Sequence, residues 1–391
     1  MTISKQPLRF ILTAVLVCLP LFSFANIVSD STLVHTESLN KEAAATSAKK
    51  PNVTLTENQK AEVERAEFIQ HHLLDSHDFH LFSYGKKSGH EKHIGFPLPV
   101  ILWDNGFQFF SSSKFHHGEA VVESNGNFYK ISHHDGMVYK TDVKGTINFD
   151  KKNHIINNKP IDFSITKNIF MIILVSLLMI LLFRNLGNSY KKNGGIASGI
   201  GRFLEPLILY IRDEIAIPNI GEKHYRKYMS HLLTIFFFVW FLNMFGLSPL
   251  GVNVTGNIAI TAALALVTYF ITTFSANKNY WGHIFWMPGV PTPMKLILAP
   301  IELLGTIIKP FSLMIRLYAN MLAGHVVLMS IIALMYKFDS VIGSPLSFIL
   351  AFVLSILEVL VALLQAYIFT MLSALYFGSA VEEHHHDEAH H

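Results

Sequence analysis

The sequence predicts an all-α polytopic membrane protein with a long tilted helical hairpin at the C-terminal end, preceded by a small extracytoplasmic α+β or β-rich module. The chain is 51% hydrophobic and 15% charged, too apolar for an ordinary soluble protein and too charged for membrane spans throughout. The apolar residues are concentrated after Ile165, and the last two apolar segments are longer than one membrane crossing requires.

Residues 1–25 have the pattern of a secretory signal peptide. Lys5 and Arg9 form a basic start, residues 10–19 an apolar core, and residues 23–25 a small-x-small cleavage site. The core is shorter than the ~20 residues of a membrane span, which favours a cleaved signal over a first anchor. The only cysteine, Cys18, lies inside this segment. We therefore expect a mature chain without disulfides or thiolate metal sites.

Residues 26–164 are predicted to form an extracytoplasmic extension. A polar leader over 26–51 precedes a predicted helix over 54–72, and short strands are expected from 78 to 150. Strand-like runs lie at 79–82, 100–103 and 107–110, with hairpin turns at Asn125-Gly126 and Asp135-Gly136.

Histidine is abundant in this extension, which holds twelve of the 21 histidines in the chain. Zinc and copper favour imidazole ligands, but regular metal-ligand spacing is absent. We therefore favour a His-rich soluble surface over a metal site. Residues 384–391 form a second His-rich segment, predicted to be a cytoplasmic tail.

A membrane domain is predicted over residues 165–383. Its apolar segments are 165–183, 232–250, 258–274, 294–336 and 346–377. Eight Lys or Arg residues follow the first segment before the second begins, whereas the connection between the second and third has none. The positive-inside rule therefore places the chain outside before the first span and its C-terminus in the cytoplasm, as the signal peptide also implies. We expect a multi-pass protein of the bacterial cell inner membrane.

The last two segments are too long to stand upright in a bilayer. A continuous helix over 294–336 would run roughly 64 Å, against a hydrocarbon core of ~30 Å. It must tilt, bend or break, and Pro300 and Pro310 are the expected sites of a bend. With 346–377 it predicts an oblique hairpin that turns at 339–345.

Arg316 lies near the middle of the first of these long segments. A cation there costs at least ~2.5–3.5 kcal/mol on insertion scales. A guanidinium cannot shed its proton to avoid that cost. Arg316 therefore needs a counter-charge, water or a function.

Other polar residues surround Arg316 at helical spacing. Glu302, Lys309 and Arg316 repeat every seven positions and so fall near one face, and Asn320 lies one turn beyond. His325 is nine residues from Arg316, roughly 14 Å along the axis on the side away from Glu302. The set predicts an inner and an outer polar path on opposite axial sides of Arg316.

On the next helix, Glu358 and Gln365 share one face. His325 and Glu358 could exchange a proton near neutral pH, while Arg316 would repel a passing cation and block a straight leak. Taken singly, His325 could instead be a core histidine whose hydrogen bonds are satisfied. Glu302 and Lys309 could instead be interfacial residues whose side chains reach up to water. All of them together favour ion transfer.

Three motifs in this region resemble a known family. Residues 309–325 read KPFSLMIRLYANMLAGH, residues 364–369 read LQAYIF with Glu358 seven positions before Gln365, and residues 243–249 read NMFGLSP. Together they make the chain similar to subunit a of the Fo sector of the proton-translocating ATP synthase. The resemblance covers about 165–383.

The resemblance implies roles for individual residues. Arg316 matches the essential arginine that faces the carboxylate of the c-ring, and Glu302 matches a carboxylate of the cytoplasmic route. The positions of the outer half-channel and its lining are matched by Asn243, Asn320, His325, Glu358 and Gln365. His325 and Glu358 are swapped relative to many bacterial members, which keeps one acid facing one imidazole. Gly246 stands where some members have Asp, so that role is not transferred.

The function expected from this resemblance is a non-catalytic stator subunit with two proton half-channels, coupled to ATP synthesis. The implied partners are the c-ring, the peripheral-stalk b subunits, the lipid membrane and protons as the transported ion. No cofactor or metal is expected. The chain has no phosphate-binding Gly-x-x-x-x-Gly-Lys-Ser/Thr loop and no basic patch typical of nucleic-acid binding. The alternatives are a stand-alone secondary transporter or channel, and an extracytoplasmic binding module on a membrane anchor.

Overall fold

The computed structural model describes residues 75–84, 92–132, 135–150, 154–248, 252–286, 290–337 and 343–381. The predicted signal peptide, the polar leader, the helix over 54–72 and the His-rich tail lie outside the described residues.

An N-terminal module of three small antiparallel sheets precedes the membrane helices. The sheets are β1 (Asp78–Tyr84) with β2 (Lys92–Pro97); β3 (Pro99–Trp103) between β4 (Phe107–Ser111) and β8 (Ile161–Asp162); and β5 (Val122–Ser124), β6 (Asn127–Ile131) and β7 (Val138–Thr141) in that order. A 3-10 helix spans Ser112–Gly118. The strands predicted from alternating apolar residues are confirmed in position.

The period-two pattern of β3 explains its burial. Val100 and Leu102 are fully buried and pack with Phe115 and Tyr129 in the core of the module, as alternate side chains of a strand face opposite sides. The predicted Asn125-Gly126 turn joins β5 to β6, with φ of 50° and 77°. Two successive positive φ angles are the geometry that favours Asn-Gly in a tight hairpin.

The helices follow in chain order. They are α1 (Lys167–Lys192), α2 (Gly201–Tyr210), α3 (Ile217–Ile220), α4 (Tyr225–Leu247), α5 (Ile258–Ser275), α6 (Lys278–Phe285), α7 (Thr292–Lys337) and α8 (Gly343–Val381), with a π-helical turn at Ile211–Ala216 between α2 and α3. Five of them, namely α1, α4, α5, α7 and α8, are long and apolar enough to cross a membrane. The prediction of five membrane segments is confirmed.

Some boundaries differ from the sequence prediction. α1 continues to Lys192, nine residues beyond the apolar stretch that predicted it, although Gly187 and its asparagine neighbours have low helix propensity. α7 continues through Pro300 and Pro310 without a break. α8 begins at Gly343, so Pro345 belongs to its first turn, where the missing N–H costs nothing. The predicted turn therefore ends before Pro345.

The core of the membrane part lies between α4 and α8. The rings of Tyr228 and Phe377 stack with centroids 4.6 Å apart, and Leu232 and Phe237 are fully buried beside them. In contrast, α7 and α8 carry rows of exposed apolar side chains on the face away from this core. In a membrane protein, such faces contact lipid or a partner subunit.

Aromatic contacts attach the N-terminal module to the first membrane helix. Phe79 stacks on Phe96 with centroids 4.8 Å apart, and Phe170 of α1 meets both rings edge-on at 5.4 and 5.1 Å. The carboxylate of Asp75 accepts hydrogen bonds from the Thr166 hydroxyl at 2.8 Å and the Asn168 N–H at 3.2 Å. The module and α1 therefore share one packed junction.

An ion pair is buried at this junction. The Nε2 atom of His77 lies 2.8 Å from Oδ2 of Asp162, and the two side chains are 4% and 11% exposed. Burial alone lowers the pKa of His77, but Asp162, Asp75 and Asp78 outweigh it and raise that pKa above its ordinary value. Burial likewise raises the pKa of Asp162, but His77 and Ser164 outweigh it and hold that pKa below its ordinary value.

The stability of the junction should therefore depend on pH. A carboxyl with a lowered pKa stabilises the fold above its unfolded value of ~3.9, and an imidazole with a raised pKa does so below its unfolded value of ~6.5. The pair contributes fully between these values. Its contribution falls as the pH rises through the pKa of folded His77, and again as the pH falls through that of folded Asp162.

We predict that His77→Gln destabilises the module by about 3 kcal/mol near pH 6, because it leaves Asp162 buried without its partner. Thermal unfolding of the full chain in detergent, followed from pH 5 to 9, would measure this. The variant should also lose the decline in stability above pH ~6.5. His116→Gln, at an exposed site of the same module, is the matched control. An unchanged pH dependence in His77→Gln would contradict the assignment.

Candidate functional site in the membrane helices

The packing of α7 sorts its residues between an inward and an outward face. Leu313, Leu317 and Met321 recur every four residues and are almost completely buried, and His325 continues this stripe at 5% exposure. Side chains at this spacing lie on one side of a helix. Arg316 is half-buried beside the stripe, at the edge of the exposed apolar face.

Arg316 has no carboxylate partner among the residues that the structure describes, and no hydrogen bond from its guanidinium is formed there. The phenol of Tyr376 on α8 lies within its electrostatic range. The ammonium of Lys309, two turns away, lies 5.8 Å from the ring centroid of the same tyrosine. A cation with so little neutralisation at membrane depth points to an anionic partner beyond the described part of the chain.

Asn320 and Gln365 join α7 to α8. The Nδ2 atom of Asn320 donates to Oε1 of Gln365 at 2.8 Å, and Gln365 is 1% exposed. The amide nitrogen of Gln365 is buried without a partner among the described residues. The sequence predicted both residues as site candidates, and the structure brings them together.

Asn243 ties α4 to the segment that follows it and to α8. Its Oδ1 accepts from the Thr255 hydroxyl at 2.7 Å, and its Nδ2 donates to the Ala362 carbonyl at 3.4 Å. Asn243 is fully buried and Thr255 nearly so. Thr255 was not among the predicted site residues, because only packing shows that it faces Asn243.

His325 meets the backbone of α4. Its Nε2 lies 3.2 Å from the Gly246 carbonyl, while its Nδ1 is buried without a hydrogen-bond partner in the described region. A Cβ atom at Gly246 would lie 3.2 Å from the Val252 carbonyl and 3.7 Å from Cε1 of His325. Gly246 thus permits a close backbone approach to the imidazole, which sequence reasoning left unassigned.

Glu358 packs over Gly324, the residue before His325. A Cβ atom at Gly324 would lie 3.0 Å from Oε1 of Glu358, a tight contact that the carboxylate would have to move slightly to relieve. Oε2 of Glu358 is buried without a partner among the described residues. Glu358 thus packs against the turn of α7 that carries His325, and no hydrogen bond joins the two side chains. The predicted His325–Glu358 pair stays a prediction.

Three of the predicted site residues on α7 and α8 each have a side-chain atom that is buried without a hydrogen-bond partner among the described residues. These atoms are Nδ1 of His325, Oε2 of Glu358 and Nε2 of Gln365. Buried polar atoms are normally paired, so each of these sites suits a bound water molecule.

A second polar region lies on the other axial side of Arg316. A pocket between α5, α6, α7 and α8 is lined by hydroxyl groups and by Lys309. The hydroxyl-bearing residues of its lining are Thr268, Tyr269, Thr272, Tyr280, Thr306, Tyr376 and Ser379. Half-buried Glu302 lies close enough to Tyr280 to act on its phenol electrostatically.

Sequence reasoning predicted Glu302 but missed the hydroxyl residues of this pocket. Thr268 and Thr272 are four positions apart in α5 and are 1% and 5% exposed. That spacing places them on one helix face and was the available signal. Among the described residues, no cluster of three or more His, Cys, Asp or Glu suits a metal ion.

Two family models match the chain. Residues 169–378 match the family described as ATP synthase A chain, and residues 68–163 match a domain of unknown function (DUF8433). The second match covers the N-terminal module and assigns it no role.

Several curated proteins are similar to this chain over more than half of its length. ATP synthase subunit a of Chloroherpeton thalassium is 41% identical over 235 residues, which cover 59% of this chain and 70% of that protein. ATP synthase subunit a of Pelodictyon phaeoclathratiforme is 39% identical over 274 residues, covering 67% and 79%. ATP synthase subunit a of Anaeromyxobacter sp. is 35% identical over 263 residues, covering 65% and 61%.

We predict that Asn320 and Gln365 are energetically coupled. A double-mutant cycle of Asn320→Ala and Gln365→Ala, measured by unfolding the full chain in mixed micelles, should give about 0.6–1.7 kcal/mol, the range for hydrogen bonds between membrane helices. Thr370→Ala is the control partner, since its hydroxyl donates to Ala366 within its own helix at 2.8 Å. Equal coupling of Asn320 to both partners would contradict a specific bond.

Proposed function

Because this chain belongs to the ATP synthase A chain family, we propose that it provides two proton half-channels to and from the c-ring, with Arg316 separating them. The chain is a multi-pass membrane component of the ATP synthase, the complex that couples proton transport to ATP synthesis. The half-channels and the role of each residue are the proposal.

The observation that carries the proposal is the isolation of Arg316. It lies within a membrane-spanning helix, at the edge of an exposed apolar face, and has no carboxylate partner among the described residues. Burying a cation without a partner is costly, so a partner subunit should supply the counter-charge. A carboxylate that passes on the c-ring would do so transiently.

The outer half-channel is formed by the region that contains His325 and Glu358. Water bridging His325 Nδ1, Glu358 Oε2 and Gln365 Nε2 would satisfy all three unpartnered atoms and supply a proton relay. The proton path then continues through Asn320, which is bonded to Gln365 and lies one helical turn from Arg316. Asn243 holds the wall of this path through its bonds to Thr255 and Ala362.

The inner half-channel runs through Glu302 and the hydroxyl-lined pocket at Lys309. Threonine and tyrosine hydroxyls can accept hydrogen bonds, so the pocket could hold about one water molecule on this route. Glu302 supplies the carboxylate that receives or releases the proton. Lys309 lies between Glu302 and Arg316 in sequence and lines the same pocket.

Arg316 keeps the two paths apart by electrostatic repulsion. At 4 Å and an effective dielectric constant of ~20, two unit charges interact by about 4 kcal/mol, enough to suppress a direct leak about a thousandfold. A proton that crosses by way of the ring gains about 2.3 kcal/mol per 100 mV. Several protons must therefore cross for each ATP made.

We further propose the arrangement of the whole chain. Residues 1–25 are removed as a signal peptide, the extension 26–164 lies outside the cytoplasm, and the tail after residue 383 lies inside it. The basic residues between α1 and α4 support this orientation in a bacterial inner membrane. The c-ring and the b subunits are the proposed protein partners, and ATP is made by other subunits.

The first test replaces Arg316. We expect Arg316→Ala, in vesicles that carry the whole complex, to abolish ATP-driven proton pumping while passive proton leak persists or rises. Arg212→Ala is the control, since Arg212 is exposed and bonded to its neighbour Asp213 at 2.6 and 2.9 Å. Normal coupled pumping by Arg316→Ala would refute the divider role. Proton transport by the isolated chain would favour a stand-alone transporter.

The second test addresses the outer relay. Glu358→Gln removes the titrating group, and Gly324→Ala places a methyl group 3.0 Å from Oε1 of Glu358, so both should slow pumping strongly. Gly187→Ala is the matched control, because a Cβ there meets nothing within 4 Å. The proton-pumping rate of each variant is measured by the acidification of the vesicles. An unaffected rate in Glu358→Gln would make Glu358 structural only.

A further inference from the structure

One face of the sheet formed by β3, β4 and β8 is apolar and exposed. Side chains that lie opposite one another in an antiparallel ladder share a face. The register therefore places three rows of three residues on this face: Pro99, Ser111 and Ile165; Ile101, Phe109 and Phe163; Trp103, Phe107 and Ile161. We call these nine residues the apolar sheet face. Ser111 is the only polar residue among these nine.

The exposure of this face contrasts with the other side of the same sheet. Phe107 and Phe109 are 68% and 72% exposed, and Trp103 is 44% exposed, whereas Val100 and Leu102 on the other side are fully buried. Soluble proteins rarely expose a continuous aromatic patch, so such a patch marks an interaction surface.

The apolar sheet face is continuous with the membrane. Its first row includes Ile165, and α1 begins two residues later at Lys167. Successive rows are two residues apart along the strands, roughly 7 Å at ~3.4 Å per residue. The third row, which contains Trp103, therefore lies no more than roughly 14 Å along the strand from Ile165.

The length of the first span leaves room in the bilayer for this face. Residues 168–183 form the uncharged stretch of α1 and rise roughly 24 Å, whereas the hydrocarbon core is ~30 Å thick. The polar layer adds roughly 5–7 Å on each side. The uncharged stretch is thus roughly 6 Å shorter than the hydrocarbon core. That difference and the polar layer on one side together amount to roughly 11–13 Å, close to the height of the apolar sheet face.

The charged groups at the junction lie away from this face. Asp162 pairs with Leu102 in the ladder, on the side of the sheet that faces the core, and binds His77 there. Asp75 is fixed by Thr166 and Asn168 of the α1 start and lies near Lys167. The junction can therefore approach lipid without exposing an unpaired carboxylate from this set.

We propose that the apolar sheet face sits in the membrane interface, against the lipid headgroups and the upper acyl chains of the leaflet at the N-terminal end of α1. Trp and other aromatic side chains are favoured at that depth. The module is thereby a second membrane anchor that fixes the orientation of α1. This inference requires only that α1 spans the membrane, and it stands or falls independently of the proton path.

Trp103 is a natural reporter of its own surroundings. The chain has four tryptophans, so Trp240→Phe, Trp281→Phe and Trp286→Phe leave Trp103 as the single emitter in the full chain. In liposomes, we expect lipids brominated near the top of their acyl chains to quench Trp103 strongly, and aqueous iodide to quench it weakly. Quenching by iodide alone would place the face in water. Protection from both would show a protein cover, such as a second copy. Either result overturns the proposal.

A spin label gives a second measurement that leaves the tryptophans intact. Phe109→Cys with a nitroxide should collide more often with oxygen, which concentrates in lipid, than with a water-soluble nickel chelate. Glu123→Cys is the matched control, since Glu123 is exposed on β5 and lies outside the apolar sheet face. It should show the reverse preference. Equal preferences at the two sites would overturn the proposal, because lipid contact would not be confined to this face.

Discussion

The cost of a polar group without a partner in a bilayer is the constraint on which the rest of this structure depends. Each charged or amide side chain in α7 and α8 has to bond within the bundle, reach water or face a partner subunit. Asn320, Gln365 and Asn243 follow the first course. Arg316 does not bond within the described part of the bundle, and we propose that it faces a partner subunit.

Glycine makes the polar region possible at two positions. At Gly246 the backbone of α4 comes close enough to bond His325, and at Gly324 the carboxylate of Glu358 lies 3.0 Å from where a Cβ atom would be. Because both glycines lie within helices, they reduce helix propensity by roughly 1 kcal/mol each relative to alanine. They are retained at sites where close approach brings titratable groups together.

The N-terminal module and the membrane helices obey the same constraint in different ways. At their junction the charges of His77 and Asp162 are paired inside the protein, and the aromatic rings of Phe79, Phe96 and Phe170 fill the contact. The opposite face of the central sheet carries exposed aromatic residues. The module therefore combines an ordinary apolar core with one exposed apolar face, which suits a position beside a membrane.

The sequence by itself determined the five membrane helices, the strands and the Asn125-Gly126 turn, because hydropathy, period-two alternation and positive-φ turn chemistry are local properties. It also singled out Arg316, since a cation in an apolar segment is visible without a fold. Tertiary structure decided which polar atoms meet. The bonds of Asn243 to Thr255 and of His325 to Gly246, and the hydroxyl-lined pocket at Lys309, each join different segments of the chain. Such pairings depend on how helices pack and rotate against one another, and a one-dimensional spacing carries no information about that.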